Sequence, residues 1–157
     1  MILNQSVQIK KAVPTDASEI AALERVCFSR PWAESGVLSE IENPNVCFLV
    51  CFFDGVLCGY ISARFTCGEW YVSNLAVLSA YRRQGIGKLL LTSLIKSAKE
   101  QNAFFVSLEV RRSNENAIRL YESCGFLLSG NRKNFYSFPQ EDAAIYTLYL
   151  NEGEINL

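Results

Sequence analysis

Arg82-Arg83-Gln84-Gly85-Ile86-Gly87-Lys88 stands between an apolar run that reads as a strand, Tyr71 to Leu78, and a leucine-rich run that reads as a helix, Leu89 to Lys99. Glycines at 85 and 87 let the backbone turn tightly from strand to helix and bring several N–H groups against an anion. The helix that follows adds its positive N-terminal end. Arg82, Arg83 and Lys88 supply cations around the same point. The junction therefore predicts a site for a phosphorylated carrier. Neither familiar nucleotide loop is present. G-x-x-x-x-G-K-[ST] fails because Leu89 follows Gly87-Lys88 and position 82 is arginine, and G-x-G-x-x-G fails because Leu90 stands where the third glycine belongs. A plain strand-to-helix turn remains the other reading of these residues.

The rest of the chain alternates strand-like and helix-like periods. Val7 to Ala12 reads as a strand, Pro14-Thr15-Asp16 as a stop and an N-cap, and Ile20, Leu23 and Cys27 as the apolar face of a first helix. Trp32 to Glu42 reads as a second, with Val37, Leu38 and Ile41 inward. Val46 to Phe53 and Val56 to Phe65 are β-rich runs joined by Asp54-Gly55, a pair suited to a tight hairpin turn. Trp70 to Leu78 follows as a further antiparallel strand. Ile86, Leu90, Leu94 and Ala98 recur at helical spacing after the glycine loop. Phe104 to Val110 is a strand, a helix begins at Asn114 or Asn116 and ends at Cys124 with Gly125 as its C′ residue, and Phe126 to Gly130 and Ala143 to Leu150 are the last strands. A strand, helix, strand succession across the loop implies a crossover. The fold class is α/β (α+β): a mixed, mostly antiparallel sheet with one parallel strand pair at the loop, flanked by about four helices.

With 157 residues, half of them hydrophobic, the chain suffices for a single domain spanning 1–157. A net charge of −1 argues against a general nucleic-acid or anionic-membrane binder. Met1 to Ile9 carries no long apolar run behind a cationic start, and no apolar run approaches the length of a membrane span. The reading is a cytoplasmic protein. Its six cysteines form no C-x-x-C pair and the chain has no histidine, so they read as small buried hydrophobes rather than metal ligands. Without histidine, any general base must be a carboxylate, tyrosinate, thiolate or lysine.

Downstream lies Leu108-Glu109-Val110-Arg111-Arg112-Ser113-Asn114-Glu115-Asn116-Ala117-Ile118-Arg119-Leu120-Tyr121-Glu122-Ser123-Cys124-Gly125-Phe126. With this segment the sequence resembles the GNAT superfamily of acyl-CoA N-acyltransferases, and within it the bacterial ribosomal-protein-alanine acetyltransferases. The likeness extends to Cys27-Phe28-Ser29-Arg30-Pro31-Trp32, to Asn74-Leu75-Ala76-Val77 and to Glu141-Asp142-Ala143. It implies an acetyl-CoA-dependent N-acetyltransferase without a metal. By resemblance, Arg83, Gln84, Gly85, Ile86, Gly87 and Lys88 grip the pyrophosphate of acetyl-CoA. Main-chain groups of Leu75, Ala76 and Val77 hold the pantetheine arm and the acetyl carbonyl, as an added strand would be held. Asn114 matches a position that contacts pantetheine; from the residues alone it is equally an N-cap.

An α-amine with a pKa of about 7.7 to 8.0 must lose a proton before it can attack a thioester. Glu109, near the end of an apolar strand where burial would raise its pKa, is the candidate base, acting directly or through a water. The alternative is that it pairs with Arg111 on the same strand face. Departure of CoA as a thiolate calls for an acid, and Tyr121 is the candidate. Ala117, Leu120, Tyr121 and Cys124 share one helix face, so the plain reading is a core aromatic whose hydroxyl can still face a cleft. The resemblance places base and acid at Glu109 and Tyr121. It favours direct attack in a ternary complex over an acyl-Cys124, since no histidine is present to activate a thiol.

The resemblance further implies an acceptor that is the N-terminus of a ribosomal protein, alanine first, lying between loops at Phe28 to Trp32 and Arg132-Lys133-Asn134-Phe135-Tyr136. Phe135 departs from the tyrosine common in the family. Arg30, Arg132 and Lys133 are otherwise ordinary surface charges. Two rivals stand beside this reading: an acetyltransferase of the same fold acting on a lysine, a polyamine or a small amine, and a non-catalytic acetyl-CoA-binding module.

Overall fold

The computed structural model describes residues 6–150. The C-terminal segment Asn151 to Leu157, acidic in sequence, lies outside the described residues. Strands β1 (Val7–Lys11), β2 (Val46–Phe53), β3 (Val56–Thr66), β4 (Glu69–Val77), β5 (Phe105–Arg111), β6 (Leu127–Tyr136) and β7 (Glu141–Tyr149) alternate with helices α1 (Ala17–Cys27), α2 (Glu34–Glu42), α3 (Ile86–Glu100) and α4 (Glu115–Ser123). The strands hydrogen-bond in the order β1-β2-β3-β4-β5-β7-β6. β1 with β2, β2 with β3, β5 with β7 and β6 with β7 run antiparallel, and β4 with β5 runs parallel. This is the mixed α/β sheet expected, with its single parallel pair at the strand that leads into the glycine loop. No helix of the described residues is long and apolar enough to cross a membrane.

The chain divides into two compact units, one from the described part of Met1–Phe65 with Ser73–Leu94, the other from Thr66–Val72 with the described part of Ile95–Leu157. In the first unit, Ile20, Leu23 and Val37 from α1 and α2 pack with Phe48, Val50 and Tyr60 of β2 and β3. Phe48 and Tyr60 stack at 5.1 Å between ring centroids. α1 buries Ile20, Ala21, Leu23 and also Glu24, a carboxyl group on an apolar stripe. In the second unit, Trp70, Val106 and Phe126 are almost wholly buried.

Four local expectations are corrected. Asp16 stands at the N-cap position of α1, but its side chain makes no bond to that helix: its Oδ2 accepts from the Val13 amide at 2.9 Å, closing a 3-10 turn over Pro14–Asp16 instead. The strand expected to end at Gly130 continues to Tyr136, because β6 stays paired with β7 through Tyr136↔Glu141. Arg132 to Tyr136 is therefore strand rather than loop, interrupted by a register shift and by Asn134 at φ 55°. Its amide is held by Asp142 Oδ1 at 2.8 Å. The cysteines also differ among themselves: Cys51 and Cys58 are buried, Cys67 is exposed and the other three are half-buried. Cys67 is exposed because it stands in the β3–β4 turn, at φ 49°.

Candidate active site

The glycine loop lies in the first unit. Gly85 adopts φ +82°, a conformation that a side chain disfavours, and a Cβ built there would meet nothing within 4 Å. Arg83 takes a positive φ of 63° beside it. α3 starts at Ile86, and its first interior bond, Leu89 N–H to Gly85 O at 2.9 Å, closes the first turn. Among the described residues, the main-chain N–H groups of 83–88 have no acceptor. Consecutive free donors at the start of a helix of this length have the geometry to receive an anion. Arg83, Gln84, Gly85 and Lys88 are exposed, Gly87 is half-buried and Ile86 is buried as the helix's first core contact.

Arg82 has a different task. Its Nε donates to Val77 O at 2.8 Å and folds the loop back on the end of β4. Leu75 and Val77 are half-buried and Ala76 is buried. β5 pairs with β4 over Glu69–Tyr71 only, so Leu75, Ala76 and Val77 have no β5 partner. The carbonyl of Val77 is engaged by Arg82 and approached by Cys27 Sγ at 3.9 Å. That narrows the free strand edge to Leu75 and Ala76.

The second unit holds Glu109, Asn114 and Tyr121. Asn114 caps α4: its side-chain oxygen accepts from the Ala117 amide at 3.2 Å. The amide NH2 of Asn114 is left for another partner, so the cap does not exclude a ligand contact. At the other end of α4, Gly125 N–H donates to Glu122 O at 3.0 Å and Phe126 N–H to Tyr121 O at 3.1 Å, with Gly125 at φ +93°. This is the paired closure of a Schellman motif, accompanied by contact of the Phe126 and Tyr121 rings at 5.9 Å. The helix ending expected at Gly125 thus fixes Tyr121 from both its carbonyl and its ring. Tyr121 is 8% exposed. Burial first, and the nearby Tyr136 second, push its phenol up to about 12, so it keeps its proton at neutral pH.

Glu109 lies on β5 opposite Ile145, which in turn faces Gly130. Arg132, two residues on along β6, reaches Glu109 Oε2 with its Nε at 3.2 Å. The geometry is that of an ion pair and not of a hydrogen bond, for Oε2 is sealed from solvent and has no hydrogen-bond partner. Arg111 does not serve Glu109. It pairs with Glu141 at 3.2 Å, donates to Ser137 O and Pro139 O, and lies 4.5 Å from the centroid of the Tyr136 ring. Tyr136, half-buried, is raised by desolvation and then by the Glu109 charge. Tyr136 thus feels the Glu109 charge and in turn helps to raise the Tyr121 phenol.

The acetyltransferase (GNAT) family model matches residues 17–126, most of the chain, from the start of α1 to Phe126 beyond α4. The chain belongs to the GNAT acetyltransferase family. Among its relatives, a putative [ribosomal protein bS18]-alanine N-acetyltransferase of Bacillus subtilis is 36% identical over 138 residues, 87% of this chain and 91% of that protein. An N-alpha-acetyltransferase of Sulfurisphaera tokodaii is 36% identical over 152 residues, covering 87% and 89% of the two chains. The crystal structure of the ribosomal-protein-S18-alanine N-acetyltransferase from Escherichia coli matches with a TM-score of 0.88 and 30% identity, over 96% of this chain and 98% of that one. As a GNAT acetyltransferase the protein uses acetyl-CoA as its acetyl donor. The unengaged N–H groups of 83–88 fit a diphosphate.

Sequence reasoning missed a polar cluster in the first unit. Glu24, 1% exposed, accepts from the Trp32 amide at 2.8 Å, from the Asn74 amide at 3.3 Å and from the Tyr60 hydroxyl. Its signal was present. Ile20, Leu23, Glu24 and Cys27 share one helix stripe, and a glutamate in such a stripe is buried only if donors meet it.

Proposed function

We propose that this GNAT enzyme acetylates the N-terminal α-amine of a ribosomal protein whose first residue is alanine, in the cytoplasm, by direct attack with both substrates bound. The names of the relatives from Bacillus subtilis and Escherichia coli support the acceptor. The observation that carries the chemistry is the contrast between two groups of the second unit: a sealed carboxylate oxygen on Glu109 with no hydrogen bond, and a phenol on Tyr121 that holds its proton. A carboxyl group without a hydrogen-bond partner has room to accept one from an amine, and a phenol can donate one to a leaving sulfur.

In this reading Glu109 takes a proton from the acceptor ammonium, directly or through a water, and frees the nitrogen lone pair. Acetyl-CoA supplies a thioester carbonyl; the new N–C bond forms as the C–S bond breaks. Tyr121 meets the departing sulfur with its O–H. A phenol at about 12 facing a thiol of about 8.5 makes complete transfer uphill by on the order of 5 kcal/mol, so Tyr121 serves by hydrogen-bond donation; the nitrogen releases its second proton to solvent as the amide forms, and the thiolate takes one from solvent. Backbone amides of Arg83, Gln84, Gly85, Ile86, Gly87 and Lys88 hold the diphosphate, with the Arg83 and Lys88 cations beside it. Leu75 and Ala76 pair with the pantetheine amides, and Asn114 offers its NH2. The two compact units act together as one domain.

The test is a peptide assay. Acetyl-CoA and a peptide with an N-terminal alanine should give free thiol and a peptide acetylated at its α-amine. The same peptide with a blocked N-terminus and an internal lysine should be inert. Preference for lysine or for a free amine would replace the acceptor and leave the donor site in place.

A further inference from the structure

Glu24 touches the segment Phe28 to Trp32 at both of its ends. Its main-chain carbonyl accepts from the Phe28 amide at 2.9 Å, and its Oε1 accepts from the Trp32 amide at 2.8 Å. Phe28 and Trp32 pack against the core of the first unit, whereas Ser29, Arg30 and Pro31 between them are exposed. The result is a short hoop with two aromatic feet and a polar crown. Oε2 of the same carboxyl group accepts from Tyr60 and from Asn74 Nδ2, and Asn74 also donates to the Tyr60 hydroxyl at 3.1 Å. Asn74 directly precedes Leu75 and Ala76, the strand edge proposed for pantetheine. One buried side chain therefore ties the hoop to the strand that faces the donor.

Such an arrangement is expensive as mere packing. A carboxyl group with 1% exposure loses almost all its hydration, and the three groups that donate to it, one main-chain amide and two side chains, are neutral. An apolar residue on the Ile20–Leu23–Cys27 stripe would fill the same place without that cost. What it would not provide is an acceptor for the Trp32 N–H, which no helix or strand satisfies.

We infer that Glu24 is a positioning residue for the acceptor: it fixes the Phe28–Trp32 hoop as a rigid wall of the acceptor groove and sets that wall against Asn74 at the donor-facing strand. The inference rests on the proposed acceptor reading for its kinetic half, while its structural half stands without it. Glu24→Gln keeps the shape but offers one oxygen and one NH2, so either Trp32 or the Tyr60–Asn74 pair meets a donor instead of an acceptor. Tyr60→Phe removes one anchor of Oε2 and keeps the ring; it is the gentler variant should the first fail to fold.

Three measurements, made well below the melting temperature, decide it: amide hydrogen exchange at Trp32, KM for an alanine-terminated peptide, and Kd for acetyl-CoA. In Glu24→Gln the Trp32 amide should exchange at least about tenfold faster and peptide KM should rise about tenfold, with acetyl-CoA Kd within about threefold of the parent. Tyr60→Phe should move both in the same direction by about threefold. A Trp32 amide equally protected in both variants would overturn the clamp. A loss of stability with peptide KM unmoved, or equal weakening of both substrates, would reduce Glu24 to a structural role. If the parent acetylates no peptide, the acceptor reading fails while the exchange rates still decide whether Glu24 holds the hoop.

Discussion

Replacing Glu109 with glutamine preserves volume and removes the capacity to take a proton. The expected outcome is a fall in kcat of about 10²–10⁴-fold with acetyl-CoA affinity within about twofold of the parent, read by steady-state kinetics and calorimetry. Unchanged kcat would take Glu109 out of the reaction. Tyr121 makes a separate prediction through its raised pKa. The folded protein keeps the phenol protonated up to about 12, whereas the unfolded chain releases it near its ordinary value of about 10. Between those values the native state binds more protons than the unfolded state, so stability falls as pH rises, by up to about 1.4 kcal/mol per pH unit for this group. Tyr121→Phe should shallow the alkaline limb of a urea-denaturation series by about one proton. An identical slope in the variant would contradict the burial argument. At this scale the sequence was partly legible: Glu109 and Tyr121 stood out by motif. Glu24 was hidden because a stripe is read by its apolar members, and the partner of Glu109 proved to be Arg132, which sits far away in sequence and reaches it only through the β5–β7–β6 ladder.

α3 and α4 show what element boundaries owe to local chemistry. Both the helix start after Gly85 and the helix stop at Gly125 were readable because each needs a positive φ that glycine supplies. β6 was not readable beyond Gly130, since Asn131-Arg132-Lys133-Asn134 has no alternating apolar face; only pairing with β7 and the Asp142 bonds make it a strand. Asn114 combines the two proposed duties and they can be separated. Asn114→Ala loses the cap and should cost about 1 kcal/mol in urea denaturation. Asn114→Asp retains a capping oxygen but lacks the NH2, so it should keep its stability and bind acetyl-CoA more weakly. Equal acetyl-CoA affinity in parent and Asp variant would leave Asn114 a cap and nothing more.

For the whole molecule, the parallel β4–β5 pair followed from the alternation of periods, since a helix between two strands forces a crossover, whereas the order in which the strands lie came only from the structure. The two compact units were not visible in the sequence, because their border falls inside β4, a continuous β-rich run. If they act as one domain, urea unfolding followed by tryptophan fluorescence and by far-UV circular dichroism should give one coincident transition. Two resolved transitions would separate the units thermodynamically. Charge and composition directed attention to a local cationic site, and Arg83 and Lys88 lie exposed there.

Residues 83–88 are the proposed holder of the acetyl donor, and isothermal titration of acetyl-CoA into the protein and into Gly85→Val tests that directly. The parent should release saturable heat at one site per chain. The variant should release none, because its β-branched side chain is incompatible with the φ of +82° that the loop adopts at this residue. No heat from the parent, or undiminished affinity in the variant, would contradict the assignment of this loop.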